Sequence, residues 1–225
     1  MTALESVPLN APLSVAMREG SMAEHKHAEG SAFVERLLAG QVNERGYVQF
    51  LGRLRMIYAA MEAIGRQLAS DPVAAAVVDP ALERLGSIDA DLDHWSAGHP
   101  PVISSPAADA YVARLEASAE WGGLFLAHHY TRYLGDLSGG QVFGTVLKRE
   151  FGLDGAGTTF YKFLEVPKPK PYKDAYRARM DDLNLEPEQI DRVVGEVKVA
   201  FNLNQALFTE LSSNLDAWKR VPSGH

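Results

Sequence analysis

The sequence predicts an all-α protein, and three observations carry that prediction. Apolar residues recur at three- and four-residue spacings over long stretches, and helix-start signals stand ahead of them at Asn43, Asp79-Pro80, Ser105-Pro106 and Glu186-Pro187. No stretch alternates apolar and polar residues for the length of a strand. The 225 residues suffice for a single helical bundle, without internal repeats or low-complexity segments. The expected organisation is a flexible N-terminus at 1–10, one domain over 11–218 and a flexible C-terminus at 219–225.

In chain order, the first helix is expected from about Ala11 to Glu29, where Gly30 stops it and Ser31 caps a short helix ending near Gly40. Asn43 caps a long helix to about Ala69, with Tyr47, Phe50, Leu51, Leu54, Ile57, Tyr58, Met61 and Ile64 as its apolar side. Asp79-Pro80 and Ser105-Pro106 each put a capping side chain before a proline at the first helical position. Helices to about Trp95 and about Ala119 follow from them, separated by a proline-bearing loop at 96–104. A long helix runs from about Gly122 to Phe151; the chain from 152 to 171 is irregular, with room for a short extended piece at 158–163. Two helices close the chain, about Tyr172 to Leu183 and from Glu186-Pro187 to about Trp218. The last carries a stripe of Val197, Phe201, Asn204, Phe208, Leu211 and Leu215, whose one polar member, Asn204, requires a hydrogen-bond partner.

Composition excludes several classes of function. With 29 acidic against 22 basic residues the net charge of −7 disfavours a general nucleic-acid binder. No run of 18 apolar residues is available to span a bilayer, and the first ten residues lack the pattern of a secretory signal. Zero cysteines exclude disulfides and thiolate metal sites. A cytoplasmic protein is expected.

The unusual stretch is His128 to Gln141, a helical segment holding Gly135, Gly139 and Gly140. Each interior glycine costs about 1 kcal/mol relative to alanine, so three together ask for a reason. At 100° per residue, Gly135 and Gly139 share a face with His128 and Thr131, while Asp136 and Gly140 lie a quarter to a third of a turn away. A flat object can then approach bare backbone with one carboxylate at its border. The competing explanation is close packing of a second helix, or a kink. Leu137 to Gln141 also has the form of the ATP-binding-cassette signature, but the chain contains no G-x-x-x-x-G-K-[S/T] phosphate loop.

Without cysteine, any metal argument rests on imidazole. In Glu24-His25-Lys26-His27-Ala28-Glu29, His25 and Glu29 stand four apart, so the carboxylate can orient the ring and leave its other nitrogen for a metal. Alternatively, Glu24 and His27 have the Glu-x-x-His spacing of di-iron bundles, with Asp91 to His94 a poor second copy. His25 and His27 lie about 200° apart and cannot serve one site. A basic cluster of Lys168, Lys170, Lys173, Arg177 and Arg179 surrounds Pro167, Pro169 and Pro171, and Arg18 lies almost two turns before His25. It reads either as a solvated face or as a grip for a dianionic ligand edge.

These are parts for holding a planar, metal-centred macrocycle with acidic side arms. The run Ala127 to Gln141 resembles the signature helix of haem oxygenases, and Glu24 to Glu29 resembles their proximal segment. Tyr172 to Met180 and Ala200 to Phe208 match two further family segments in the same order, so the similarity covers roughly residues 12–215. The resemblance implies a fold in which haem is sandwiched between a proximal N-terminal helix and a kinked, glycine-containing distal helix. It implies oxidative cleavage of haem b, both cofactor and substrate, by O2 and externally supplied electrons to biliverdin, ferrous iron and carbon monoxide.

Residue by residue, the resemblance makes His25 the axial iron ligand, with Glu29 beside it, and sets Gly135 and Gly139 against the haem, with Gly140 allowing a bend. Asp136 would organise distal waters. Tyr130, Lys173, Arg177 and Arg18, where many relatives have lysine, would meet the propionates. Thr131, Phe201 and Phe208 would line the pocket, and Tyr58, Arg132, Tyr133 and Asn204 would form a distal hydrogen-bond network. Nothing resembles a flavin or nicotinamide site, so electrons would come from a ferredoxin, a flavodoxin or an NADPH-dependent reductase docking near Lys173 and Arg179. A non-catalytic haem carrier and a helical di-iron protein are the alternatives.

Overall fold

The structure, a computed structural model, describes residues 11–220, apart from the side chain of Glu29. The expected tail at 1–10 and the last five residues of the expected tail at 219–225 lie outside the described residues. Among the described residues there is no strand, only an isolated bridge between Val42 and Lys219. None of their helices is long and apolar enough to cross a membrane.

The core is built around α4 (Glu44–Gln67), on which Leu51, Leu54, Ile57 and Tyr58 are fully buried. Each such aliphatic side chain contributes roughly 1.5–3 kcal/mol by leaving water. Asn43 caps the helix as expected, its side chain accepting from the Gly46 N–H at 3.0 Å. Against α4 pack α6 (Leu85–Ser96) and α7 (Pro106–Ser118), the latter capped by Ser105. The second long helix, α11 (Pro187–Ser212), carries α8 (Gly122–His129), α3 (Ala32–Leu38) and α2 (Met22–Glu29). Both walls of a cleft thus stand on one floor.

Several boundaries depart from expectation, and most depart because the acceptor or donor lies far away in sequence. The first helix is broken into α1 (Leu13–Gly20) and α2 at Ser21, whose hydroxyl turns back to the Met17 carbonyl at 2.7 Å. Asp79 caps only a 3-10 turn, Pro80–Leu82, and α6 begins later, at Leu85. The reason is Glu62 of α4, whose buried carboxylate accepts from the Arg84 and Leu85 N–H groups at 2.6 and 2.9 Å. The piece expected to be extended near 158–163 is a 3-10 turn, Thr159–Tyr161, because Asp91 accepts from the Thr159 and Phe160 N–H groups, each at 2.8 Å. The basic helix α10 (Pro169–Asp181) starts three residues early, and α11 ends at Ser212 rather than near Trp218. The two described residues of the tail expected to be flexible at 219–225 are held: Lys219 bridges Val42, and Arg220 donates its N–H to Gln41 O at 2.9 Å and pairs with Glu150.

The glycine-bearing segment is helical from 122 to 151, as expected, but not uniformly α. Between α8 and α9 (Gln141–Phe151) it winds as π-helix over Tyr130–Leu134 and again over Asp136–Gly140. Its start packs so close to α5 (Pro72–Ala75) that a Cβ on Gly122 would fall 2.0 Å from an Asp71 oxygen.

Candidate functional site

The π-turns, α2 and α11 enclose two adjoining hollows of about 320 and 180 Å3 that share His25, Thr131, Gly135, Gly139 and Phe201. Wider i to i+5 winding is itself common at functional sites, because it opens the backbone without breaking it. Gly135 and Gly139 are exposed, and a Cβ built on either meets nothing within 4 Å. Among the described residues no second helix packs against these two glycines, so close helix packing is not what calls for them. Gly140 differs: it is buried at ordinary helical angles (φ −57°, ψ −32°), and a Cβ on it would press on Tyr161 at 3.3 Å. Its missing side chain makes room for Tyr161 rather than supplying an unusual backbone angle.

His25 lines both hollows and meets Phe201 of α11 edge-on, with centroids 5.2 Å apart. His27 is exposed and lines neither. The expected contribution of Glu29 lies outside the described side chains. Among the described residues no group of three or more His, Asp or Glu could hold a metal ion, so the di-iron alternative finds no ligand set there.

His128 does not share the glycine face as expected. It is fully buried on the far side, donating from Nε2 to Glu196 at 2.7 Å, and Glu196 in turn holds Arg114. A π-turn advances fewer degrees per residue than the 100° assumed, which swings positions before and after it out of phase. Burial works to raise the Glu196 carboxyl, but the hydrogen bonds from His128 and Arg114 together hold it down at about 2.

On the opposite side of the glycines from the rim stands a buried polar network. Tyr58 donates its hydroxyl to Asp136, and Arg132 lies 3.8 Å from the other carboxylate oxygen. Arg132 also donates to the Tyr58 oxygen at 3.2 and 3.3 Å and to Asn204 Oδ1 at 2.8 Å. Asn204 therefore finds the partner its place in the stripe demanded. Burial pushes the Asp136 carboxyl above the ordinary aspartate range, while Arg132 and Tyr58 pull the other way. Tyr133 joins through its ring, against Tyr58 and His129.

Cations stand at the rim. Arg18, Tyr130 and Arg177 line the larger hollow, and Phe208 lines the smaller. Burial raises the Tyr130 phenol, and Arg177 and Arg18 oppose it. Lys173 lines neither hollow; it donates to Ser138 at 2.8 Å, and Ser138 does line the larger. Arg179 turns to Ala76 O at 2.7 Å, away from the cleft.

Sequence reasoning missed Ser21, Met22 and Ser138 in the larger hollow and Phe143, Phe160 and Tyr161 in the smaller. Phe160 and Tyr161 sit in the irregular segment, where no periodicity marks them, and reach the site through the tie to Asp91.

The arrangement offers one imidazole, a bare backbone surface, a carboxyl with raised proton affinity and a cationic rim. Comparison with known proteins agrees. A family model described as heme oxygenase matches residues 11–210. "Heme oxygenase 1" of Synechocystis is 36% identical over 206 residues, covering 90% of this chain and 86% of the relative. The rat protein of that name is 37% identical over 209 residues, covering 90% and 72%. Among solved structures, heme oxygenase-1 from Synechocystis in complex with heme superposes with a TM-score of 0.87 at 35% identity, covering 92% of this chain and 95% of the other. The enzyme from Leptospira interrogans gives 0.81 at 32%, covering 89% and 100%. With a family match over most of its length and relatives above 30% identity, the chain belongs to the haem oxygenase family of oxidoreductases.

Proposed function

We propose that the cleft binds haem with His25 as the axial ligand to iron, and that the protein cleaves haem to biliverdin, ferrous iron and carbon monoxide. The observation that carries this is the open space over Gly135 and Gly139, with His25 among its lining residues and Asp136 at its inner border. A flat ring fits where side chains at those positions would project. Bound there, haem would supply redox-active iron and would itself be the substrate that is cleaved.

The chain's own contributions follow from position. His25 would hold the iron, with Phe201 against the imidazole ring. Gly135 and Gly139 would lay bare polar backbone, with no side chain between, against the bound ligand. Asp136 holds a proton to higher pH than an ordinary aspartate, and Tyr58, Arg132 and Asn204 fix its orientation. Arg18, Tyr130 and Arg177 receive the acidic arms at the rim, with Lys173 close by on Ser138.

Electrons come from a separate protein in this reading, a ferredoxin, a flavodoxin or an NADPH-dependent reductase. An acidic partner suits the basic surface near Lys173 and Arg179, which the exposed Lys168 at the N-cap of α10 and Lys170 in its first turn extend. Charge reversal at these lysines should slow reduction in a salt-dependent way; equal rates would remove them from the docking surface. The deciding experiment adds hemin to the pure protein, records the histidine-ligated spectrum, then supplies O2 with reduced ferredoxin and identifies the pigment. Biliverdin with loss of the Soret band supports the proposal, whereas a Soret band that persists through aerobic reduction would make the protein a haem carrier.

A further inference from the structure

His129 is a titratable side chain that none of the roles above uses, and it is buried at 4% exposure on the side of the helix away from the cleft. Its Nδ1 lies 2.8 Å from the hydroxyl of Tyr176, a fully buried residue of α10. The two rings stack at 12°, and Phe125 and Tyr133 close round the imidazole. What gives the bond its place is adjacency in the chain. The residue after His129 is Tyr130, and the residue after Tyr176 is Arg177. Both line the larger hollow.

The other attachments of α10 sit elsewhere. Lys173 reaches Ser138 in the open at the rim, Tyr172 holds Asp79 and Arg179 holds Ala76 behind the helix, and Asp181 at its last turn accepts from the N–H and hydroxyl of Ser14. The His129 bond is the buried tie at the register where helix and rim meet. Burial pushes the imidazole down to about 3, so it stays uncharged through the neutral range and the tie does not switch off there.

We propose that His129 is a positioning residue: through Tyr176 it sets the distance between Tyr130 and Arg177, and so fixes how the acidic edge of the ligand is gripped and which ring edge faces Asp136. This rests on the haem-cleaving reading above. A planar ligand held in a slot by its flat faces can still turn within its plane, and only rim contacts stop that rotation. Loss of the tie therefore shows first as loss of product specificity, not as loss of turnover.

Three variants test this. Tyr176→Phe removes only the hydroxyl, His129→Leu keeps an apolar side chain of similar bulk, and His129→Asn restores a polar atom near the place of Nδ1. In ligand-free protein, amide exchange across 169–181 should rise about five- to tenfold in the Phe and Leu variants while α11 is unchanged, and should return towards wild type in the Asn variant. With hemin and electrons, wild type should give one dominant biliverdin isomer, the Phe and Leu variants a mixture, and the Asn variant largely one isomer again. Wild-type exchange together with an unchanged isomer in both disrupting variants would overturn the proposal. If wild-type protein makes no biliverdin at all, the functional reading fails instead, and the exchange measurement still judges the tie.

Discussion

Asp136 accepts the hydroxyl hydrogen of Tyr58, and the Tyr58 oxygen accepts in turn from Arg132, so one phenol links the carboxylate at the cleft to a buried guanidinium. That guanidinium ends on Asn204 of α11. Asp136 is thus oriented by two helices other than its own, and its proton affinity is set by burial against these donors.

A first prediction follows from that arrangement. Asp136→Asn should bind hemin as tightly as wild type but lose biliverdin formation by about 10²-fold or more, the usual contribution of a positioned proton carrier. Tyr58→Phe should lose less, because Arg132 still faces the carboxylate. Single-turnover pigment formation measures both; full turnover in the Asn variant would take Asp136 out of the reaction.

The two histidines of α2 are both exposed and separate by the hollows, which His25 lines and His27 does not. His25→Ala should abolish the histidine-ligated hemin spectrum and activity, and imidazole added in solution should restore part of the spectrum. His27→Ala should change neither, since that ring lies on an exposed face away from both hollows. The reverse pattern would move the metal to the Glu24 and His27 side.

Gly135→Ala should have opposite effects on fold and ligand. Gly135 sits at φ −61°, ψ −49°, angles that alanine adopts readily, and the added methyl meets nothing in the ligand-free protein. The apo fold should gain about 0.5–1 kcal/mol, as glycine-to-alanine changes do inside helices. Hemin affinity should fall by about tenfold or more, equivalent to about 1.4 kcal/mol, because the methyl occupies the ligand's space. Thermal unfolding and hemin titration read the two signs, and unchanged affinity would show that the ring does not lie on this glycine.

These contrasts also show what the chain reveals locally and what it does not. Caps at Ser31, Asn43 and Ser105, the stripe on α11 and the glycines at 135 and 139 depend on neighbours within a few residues, and all were legible. The late start of α6 depends on Glu62, and the turn carrying Phe160 and Tyr161 on Asp91, each a tie between distant parts of the chain. Spacing arguments cannot see such ties. His128 was assigned to the wrong face for a different reason: one uniform helical period was carried across a segment that winds as π-helix.

The last prediction concerns stability against pH. His129 is held uncharged, its imidazole pushed down to about 3 by burial, with Asp79 opposing and Arg179 reinforcing the shift. In the unfolded chain the same ring titrates near 6.5. Between these values the unfolded state binds a proton that the folded state refuses, so stability is lost as pH falls from about 6.5 towards 3. The slope approaches about 1.4 kcal/mol per pH unit for one such group. Glu196, held down to about 2, adds a loss in the same direction only at lower pH. Urea unfolding of wild type and His129→Leu at pH 6 and pH 4.5 isolates the histidine. Wild type should lose about 1–2 kcal/mol more than the variant across that interval. Parallel losses would mean that the imidazole takes up its proton as readily inside the fold as outside it, which its burial against Phe125, Tyr133 and Tyr176 argues against.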